Sequence, residues 1–204
     1  MRVDKEAVPV AALLGVATLA AGLALHPLAA LPPLALLLFT LWFLRDPERV
    51  PPPDATVLVS PADGKVIVAE GDRISVFMNV FDVHVCRSPI SGRLESVEHH
   101  AGRFMAAYRD AASDHNERAA LTLLDGERRL TVTLVAGLVA RRIVLRVQEG
   151  QEIRRAERIG LIRFGSRVDV RLPGDAALLV EVGDRVSAGV SPLARLSRAG
   201  HQRP

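Results

Sequence analysis

From Ala7 to Leu44 the chain carries no Asp, Glu, Lys or Arg. A stretch of that length has no place on a water-facing surface, so it belongs in a bilayer or in a removable leader. Ala7–Leu25 is about the roughly 20 residues that a helix needs to cross hydrocarbon. His26, Pro27, Pro32 and Pro33 then interrupt the pattern, and Leu34–Leu44 is a second apolar run. It ends in Phe39, Trp42 and Phe43, side chains suited to the membrane–water interface. The pattern predicts a helical membrane hairpin over residues 1–45, its second arm short or kinked by prolines. Arg2 and Lys5 precede it, Arg45 and Arg49 come after it, and the turn between the arms has neither Lys nor Arg. The positive-inside tendency then puts both ends, and the whole remainder of the chain, on the cytoplasmic side of the cell membrane. A cleaved signal peptide competes with this reading, but the apolar region is longer than a signal core.

Pro47, Pro51, Pro52 and Pro53 make residues 46–56 a stiff linker. The remainder, 57–204, reads as a mainly β body, a β-sandwich or barrel-sandwich. Val57–Val59, Gly64–Val68, Ile74–Met78 and Val83–Cys86 are short β-branched runs broken by Gly, Asp and Pro. Ala119–Leu124 and Leu130–Ala136 flank Asp125-Gly126, a hairpin signal with a loop expected to exceed two residues. Arg141–Val147 alternates like a strand. Ile159–Phe164 and Val168–Leu172 meet at Gly165-Ser166, and Leu178–Val182 precedes a last turn at Gly183-Asp184. Arg103–Asp110 reads as a short helix or loop and Ser113–Arg118 as polar loop.

The net charge is +3 and Arg supplies nearly all the positive charge, since Lys5 and Lys65 are the only lysines. One Trp, one Tyr and six Phe cannot build a stacking surface for single strands. Nucleic acid is therefore set aside in favour of a membrane surface. The lone cysteine, Cys86, cannot form an internal disulfide and reads as a small buried apolar residue.

Three segments carry chemistry. In Arg163-Phe164-Gly165-Ser166-Arg167, the bland reading is a hairpin turn. Its setting between apolar strands also allows a fixed hydroxyl beside a glycine carbonyl that is open to close approach. A serine there needs a base to take its proton. Ser60-Pro61-Ala62-Asp63-Gly64-Lys65 is locally a turn, and Asp63 is the carboxylate that could orient a histidine. In Asn79-Val80-Phe81-Asp82-Val83-His84-Val85-Cys86-Arg87-Ser88-Pro89, His84 sits among valines, and Asp82 is assigned no part in proton transfer. Asp63, His84 and Ser166 are the residue types of a hydroxyl-activating relay. Nothing in one sequence shows that they meet.

Five motifs occur in order: Ser60–Lys65, Asp82-Val83-His84-Val85-Cys86-Arg87-Ser88-Pro89-Ile90-Ser91-Gly92, Asn116-Glu117-Arg118, Ala136-Gly137-Leu138-Val139-Ala140-Arg141-Arg142, and Gly160–Arg167. Together they resemble the short-form (archaeal-type) phosphatidylserine decarboxylases of the pyruvoyl-dependent family, over nearly all of Val57–Leu196. The resemblance implies a proenzyme that cuts itself between Gly165 and Ser166. Ser166 would become a pyruvoyl group, with Asp63 and His84 as its activating partners. Residues 1–165 and 166–204 would stay together as partner chains. The product would decarboxylate phosphatidylserine to phosphatidylethanolamine through an imine with the substrate amine. That amine supplies the nitrogen, so a chain with two lysines lacks nothing, and no metal is called for. Arg141, Arg142 and Arg163 are candidates for the lipid phosphate. A homo-oligomer is a further possible partner arrangement.

A membrane-anchored carrier is the main alternative, because Glu181–Gly189 looks like the closing strand-turn of biotinyl and lipoyl domains. Its modified lysine would have to be Lys65. A metal hydrolase using His84, His99, His100 and His115 is weaker, because adjacent His99 and His100 face opposite sides of a strand.

Overall fold

The computed structural model describes residues 2–102, 116–137, 143–162 and 166–197, and divides the chain into two units, 1–48 and 49–204. Of the sequence expectations, Arg103–Asp110, residues 113–115 of the polar loop, His115, Arg141, Arg142, Arg163 and Gly165 lie outside the described residues.

In the first unit, β1 (Arg2–Val3) leads to α1 (Val8–Ala24), then α2 (Leu31–Phe43), then β2 (Arg45–Asp46). The helical stretch Lys5–Ala24 is 20 residues and is long and apolar enough to cross a membrane, since at 1.5 Å per residue it measures about 30 Å. α2 has 13 residues, about 20 Å, too short to span by itself. Pro32 and Pro33 occupy its first turn, where a missing N–H costs nothing, so they start this helix instead of kinking it. The expected hairpin is present with unequal arms. Its ends meet, because β1 and β2 pair antiparallel and the Asp4 N–H donates to the Leu44 carbonyl at 2.8 Å. Phe39 lies 6.0 Å from Trp42 and 5.9 Å from Phe43, and the Arg45 guanidinium sits 4.4 Å over the Trp42 ring. This is an aromatic and cationic cluster of the kind found at a membrane interface.

The second unit is built of short antiparallel strands: β3 (Val57–Val59), β4 (Gly64–Glu70), β5 (Arg73–Met78), β6 (Val85–Arg87), β7 (Gly92–His100), β8 (Arg118–Asp125), β9 (Arg128–Val135), β10 (Ile143–Leu145), β11 (Glu152–Ile153), β12 (Arg158–Ile162), β13 (Ser166–Arg171), β14 (Ala176–Leu178), β15 (Arg185–Val186) and β16 (Pro192–Leu196). An eight-stranded sheet runs β11-β7-β8-β9-β13-β5-β4-β15, beside two three-stranded sheets, β10-β12-β6 and β14-β16-β3. One face of the large sheet makes the core. Leu121, Leu123, Leu130, Val132, Leu134, Val168, Val170, Ile74 and Val76 are buried, alternating with Thr122, Thr131, Thr133, Asp169 and Ser75 as a period of two requires. On that other face Arg167 is fully buried, donating from Nε to Asp169 at 2.6 Å and from Nη2 to Ser75 Oγ at 3.0 Å.

Three local expectations change. The β8–β9 loop is two residues, not longer, because Asp125 pairs with Arg128; Gly126 at φ 62° supplies the left-handed turn. Val83 and His84 precede β6 instead of lying in it. Most consequentially, β12 and β13 do not form a hairpin about Gly165-Ser166. They belong to different sheets, and β13 is central to the large one, between β9 and β5.

Candidate active site

Two segments cross together from the large sheet to the small one. β5 pairs with β13 in the large sheet, and β6 pairs with β12 in the small one. The chain therefore passes between sheets at 79–84 and returns between Ile162 and Ser166. His84 closes the first crossing and its carbonyl accepts from Ile162 N at 3.3 Å. Ser166 ends the second and opens β13 opposite Met78. Both side chains are fully buried. Asp63 immediately precedes β4, the strand on the other side of β5. Lys65, Phe77 and Arg167 lie in one row across the three strands. Asp63 and Ser166 are thus brought to the same end of the sheet, and His84 lies on the chain leaving that end.

The tautomer of the neutral histidine follows from a backbone contact. His84 Nδ1 is 2.9 Å from the Asp82 carbonyl. A carbonyl oxygen only accepts, so in the neutral ring Nδ1 carries the proton and Nε2 keeps its lone pair. That is the form a base needs. Asp63 is held by other groups: Oδ1 accepts from Ala188 N at 2.7 Å and Oδ2 from Arg49 Nη2 at 2.8 Å. Its charge still reaches the strand after His84. Burial, and then the Asp63 carboxylate, push the Cys86 thiol from an ordinary 9.0 up to about 12, against a smaller opposing pull from Arg146.

Cys86 is therefore a neutral, inert thiol at neutral pH, not a nucleophile. Since its folded pKa lies above its unfolded one, the folded state holds the proton longer. The stability associated with this group is complete below pH 9.0 and is lost as pH rises through about 12. Thermal unfolding measured across that window should show the decline, and Cys86→Ala should flatten it. An alkylating reagent should label Cys86 in denatured protein and leave the native protein unlabelled.

The Ser166 hydroxyl has no hydrogen-bond partner among the described residues. A buried, unsatisfied hydroxyl typically costs about 1–3 kcal/mol, so folds rarely keep one without a use. Lys65 fits the carrier reading poorly. It lies within β4, paired on one side with Phe77 and on the other with Arg185, and not at a hairpin tip.

The model of the phosphatidylserine decarboxylase family matches residues 36–194, most of the chain. The chain belongs to the phosphatidylserine decarboxylase family. It is 47% identical over 174 residues to a phosphatidylserine decarboxylase proenzyme of Syntrophus aciditrophicus, covering 79% of this chain and 81% of that one. A proenzyme of the same name from Symbiobacterium thermophilum is 46% identical over 173 residues, 79% and 80% of the two chains. One from Desulfotalea psychrophila is 45% identical over 170 residues, 78% and 79%.

Family membership does not assign roles, but the geometry adds groups that the motifs left unmarked. The Asp82 backbone carbonyl fixes the His84 ring, and the Asp82 side chain accepts from Asn79 N at 2.8 Å and Arg185 Nη2 at 2.6 Å. Asp82 is thus no bystander: its backbone orients the histidine ring and its carboxylate holds the turn. The Asn79-x-x-Asp82 spacing is the signal that could have found this turn.

Proposed function

We propose that the chain is a self-processing decarboxylase of phosphatidylserine, and that Ser166, His84 and Asp63 make its active group. The observation carrying this reading is the buried Ser166 hydroxyl, without a partner among the described residues, at a crossing shared with the buried His84. His84 Nε2 takes the Ser166 proton. The freed oxygen attacks the Gly165 carbonyl carbon, and the peptide bond becomes an ester as the nitrogen takes up a proton. Loss of the Ser166 α-proton then expels the Gly165 carboxylate and leaves a dehydroalanine end. Water converts that end to a pyruvoyl group and releases ammonia. Asp63 supplies negative charge that favours the His84 cation formed in the first step.

The serine oxygen departs with the Gly165 carboxylate, so a hydroxyl with no hydrogen bond to lose among the described residues suits that step. The keto group forms at the Ser166 Cα, where water's oxygen replaces the nitrogen. That group would supply an electron sink for the charge left on the amino-acid carbon when CO₂ departs. His84, once protonated, is the candidate for returning a proton to that carbon. Arg141, Arg142 and Arg163 would meet the lipid phosphate. The apolar hairpin, with Arg and Lys at its two ends and none in its turn, supports a location at the cell membrane with the body on the cytoplasmic side.

The test is a time course of processing in two variants. His84→Ala should slow cleavage by roughly 10²–10⁴-fold, the usual contribution of a general base. Asp63→Asn should slow it less, because the amide keeps its hydrogen bond from Ala188 but loses the charge. Wild-type rates in both would refute the assignment. The cut chains should also stay together, because β13 lies between β9 and β5 and Asp63 is bonded to Ala188. Native gel filtration should give one species that only denaturant resolves into two.

A further inference from the structure

Two turns of the second unit share one construction. In Asn79–Asp82 the Asp82 N–H donates to the Asn79 carbonyl at 3.1 Å, and the Asp82 carboxylate accepts from Asn79 N at 2.8 Å. In Glu181–Asp184 the Asp184 N–H donates to the Glu181 carbonyl at 3.2 Å, and the Asp184 carboxylate accepts from Glu181 N at 3.0 Å. Each turn is thus closed in both directions, and each carries an apolar residue at its apex. Phe81 is 68% exposed and Val182 is 65% exposed. The turns are clamped to one another by the ion pair from Arg185 Nη2 to Asp82 Oδ1 at 2.6 Å. Leu179, 44% exposed, lies on the segment entering the second turn.

Single exposed apolar side chains are ordinary and call for no explanation. Two of them on rigid turns, tied together by a largely buried carboxylate, are a different matter, because the fold spends a clamp on keeping them out in solvent. Their position gives the clamp a purpose. Phe81 is three residues before His84, and the first turn begins where β5 ends, opposite Ser166. Phe81 therefore stands at the end of the sheet that bears the candidate active group. The ion pair of Arg185 with Asp82 ties to it the second turn, which lies beside Val66 on the edge of β4. A decarboxylase acting on a headgroup must bring that end to the lipid surface, because the substrate's acyl chains remain in hydrocarbon.

We propose that the paired turns Asn79–Asp82 and Glu181–Asp184 are a bilayer contact, with Phe81 and Val182 entering the boundary between headgroups and acyl chains. The ring of Phe81 suits that depth, and the ion pair keeps the two apices in fixed relation as they enter. This rests on the reading that the substrate is a membrane lipid. It goes beyond that reading in assigning membrane contact to the catalytic body itself, in addition to the apolar hairpin.

The test uses the full chain in liposomes of phosphatidylethanolamine and phosphatidylglycerol, with and without bromine on the acyl chains. Trp42 is the only tryptophan, so Trp42→Phe gives a dark background. Phe81→Trp in that background should lose most of its emission to the brominated chains and be sheltered from aqueous acrylamide. Glu127→Trp is the control. It lies in the β8–β9 turn, exposed, at the opposite end of the same sheet, and should be quenched by acrylamide and not by bromine. If the indole at position 81 behaves as that at 127 does, the turns face water or another protein and the proposal is wrong. Bromine quenching at both positions would also overturn it, since no particular end would then face the lipid. The mass of the same preparations reports processing independently, so a failed contact and a failed catalytic reading give different results.

Discussion

The Ser166→Ala protein is expected to remain one intact 22.0 kDa chain without decarboxylase activity. The alanine has no oxygen to attack the preceding carbonyl, so no cleavage and no keto group can form. The same change should leave the fold intact. In the native chain the hydroxyl is buried and has no partner among the described residues. Removing it abolishes no hydrogen bond there and relieves a desolvation cost, so stability should be unchanged or rise by about 1 kcal/mol. Complete loss of processing with equal or greater resistance to denaturant separates a missing nucleophile from a damaged structure. Loss of processing with a large drop in stability would mean that Ser166 is a structural residue.

The Gly64→Ala protein is expected to be severely destabilised, by roughly 2–5 kcal/mol, with processing impaired as a consequence. Gly64 has φ +151°, and a Cβ there would stand 2.1 Å from the Phe77 carbonyl oxygen, a backbone atom. β4 and β5 would have to separate at the end of the sheet where Asp63 and Ser166 lie. Gly126→Ala is the comparison. Its φ is +62° but nothing lies within 4 Å of the added carbon, so only the left-handed backbone cost of about 1–2 kcal/mol remains. Denaturant midpoints of the two variants give the answer. Equal losses would show that the close approach at Gly64 is not what makes it glycine.

Local chemistry made much of this fold legible. β3, β4, β5, β8 and β9 arise from runs of β-branched and alternating residues, and the apolar hairpin from the absence of charge. β7 was not legible, because Arg93, Glu95 and Glu98 make Gly92–His100 look like loop; its pairing with β8 over most of its length holds it extended. β16 begins with Pro192, a residue tolerated at the first position of a strand but a poor announcement of one. The candidate site divides the same way. Ser166, His84 and Asp63 stand out through their motifs, but their arrangement is a tertiary matter. Two adjacent strands look like a hairpin from sequence, and only pairing with distant partners, β12 with β6 and β13 with β5, separates them into different sheets. The hydrogen bond from His84 Nδ1 to the Asp82 backbone was invisible for a related reason, since every residue type offers the same carbonyl.

The central claim is that Ser166 is converted from a residue within a chain to the reactive end of one. The direct measurement is an intact-mass spectrum of the purified wild-type protein, with Edman degradation of the smaller fragment. The predicted result is two chains, 1–165 and 166–204, the second carrying a keto group in place of its serine amine and therefore giving no Edman sequence. A decarboxylating preparation made of a single 22.0 kDa chain, or a 166–204 fragment that begins with ordinary serine, would contradict it.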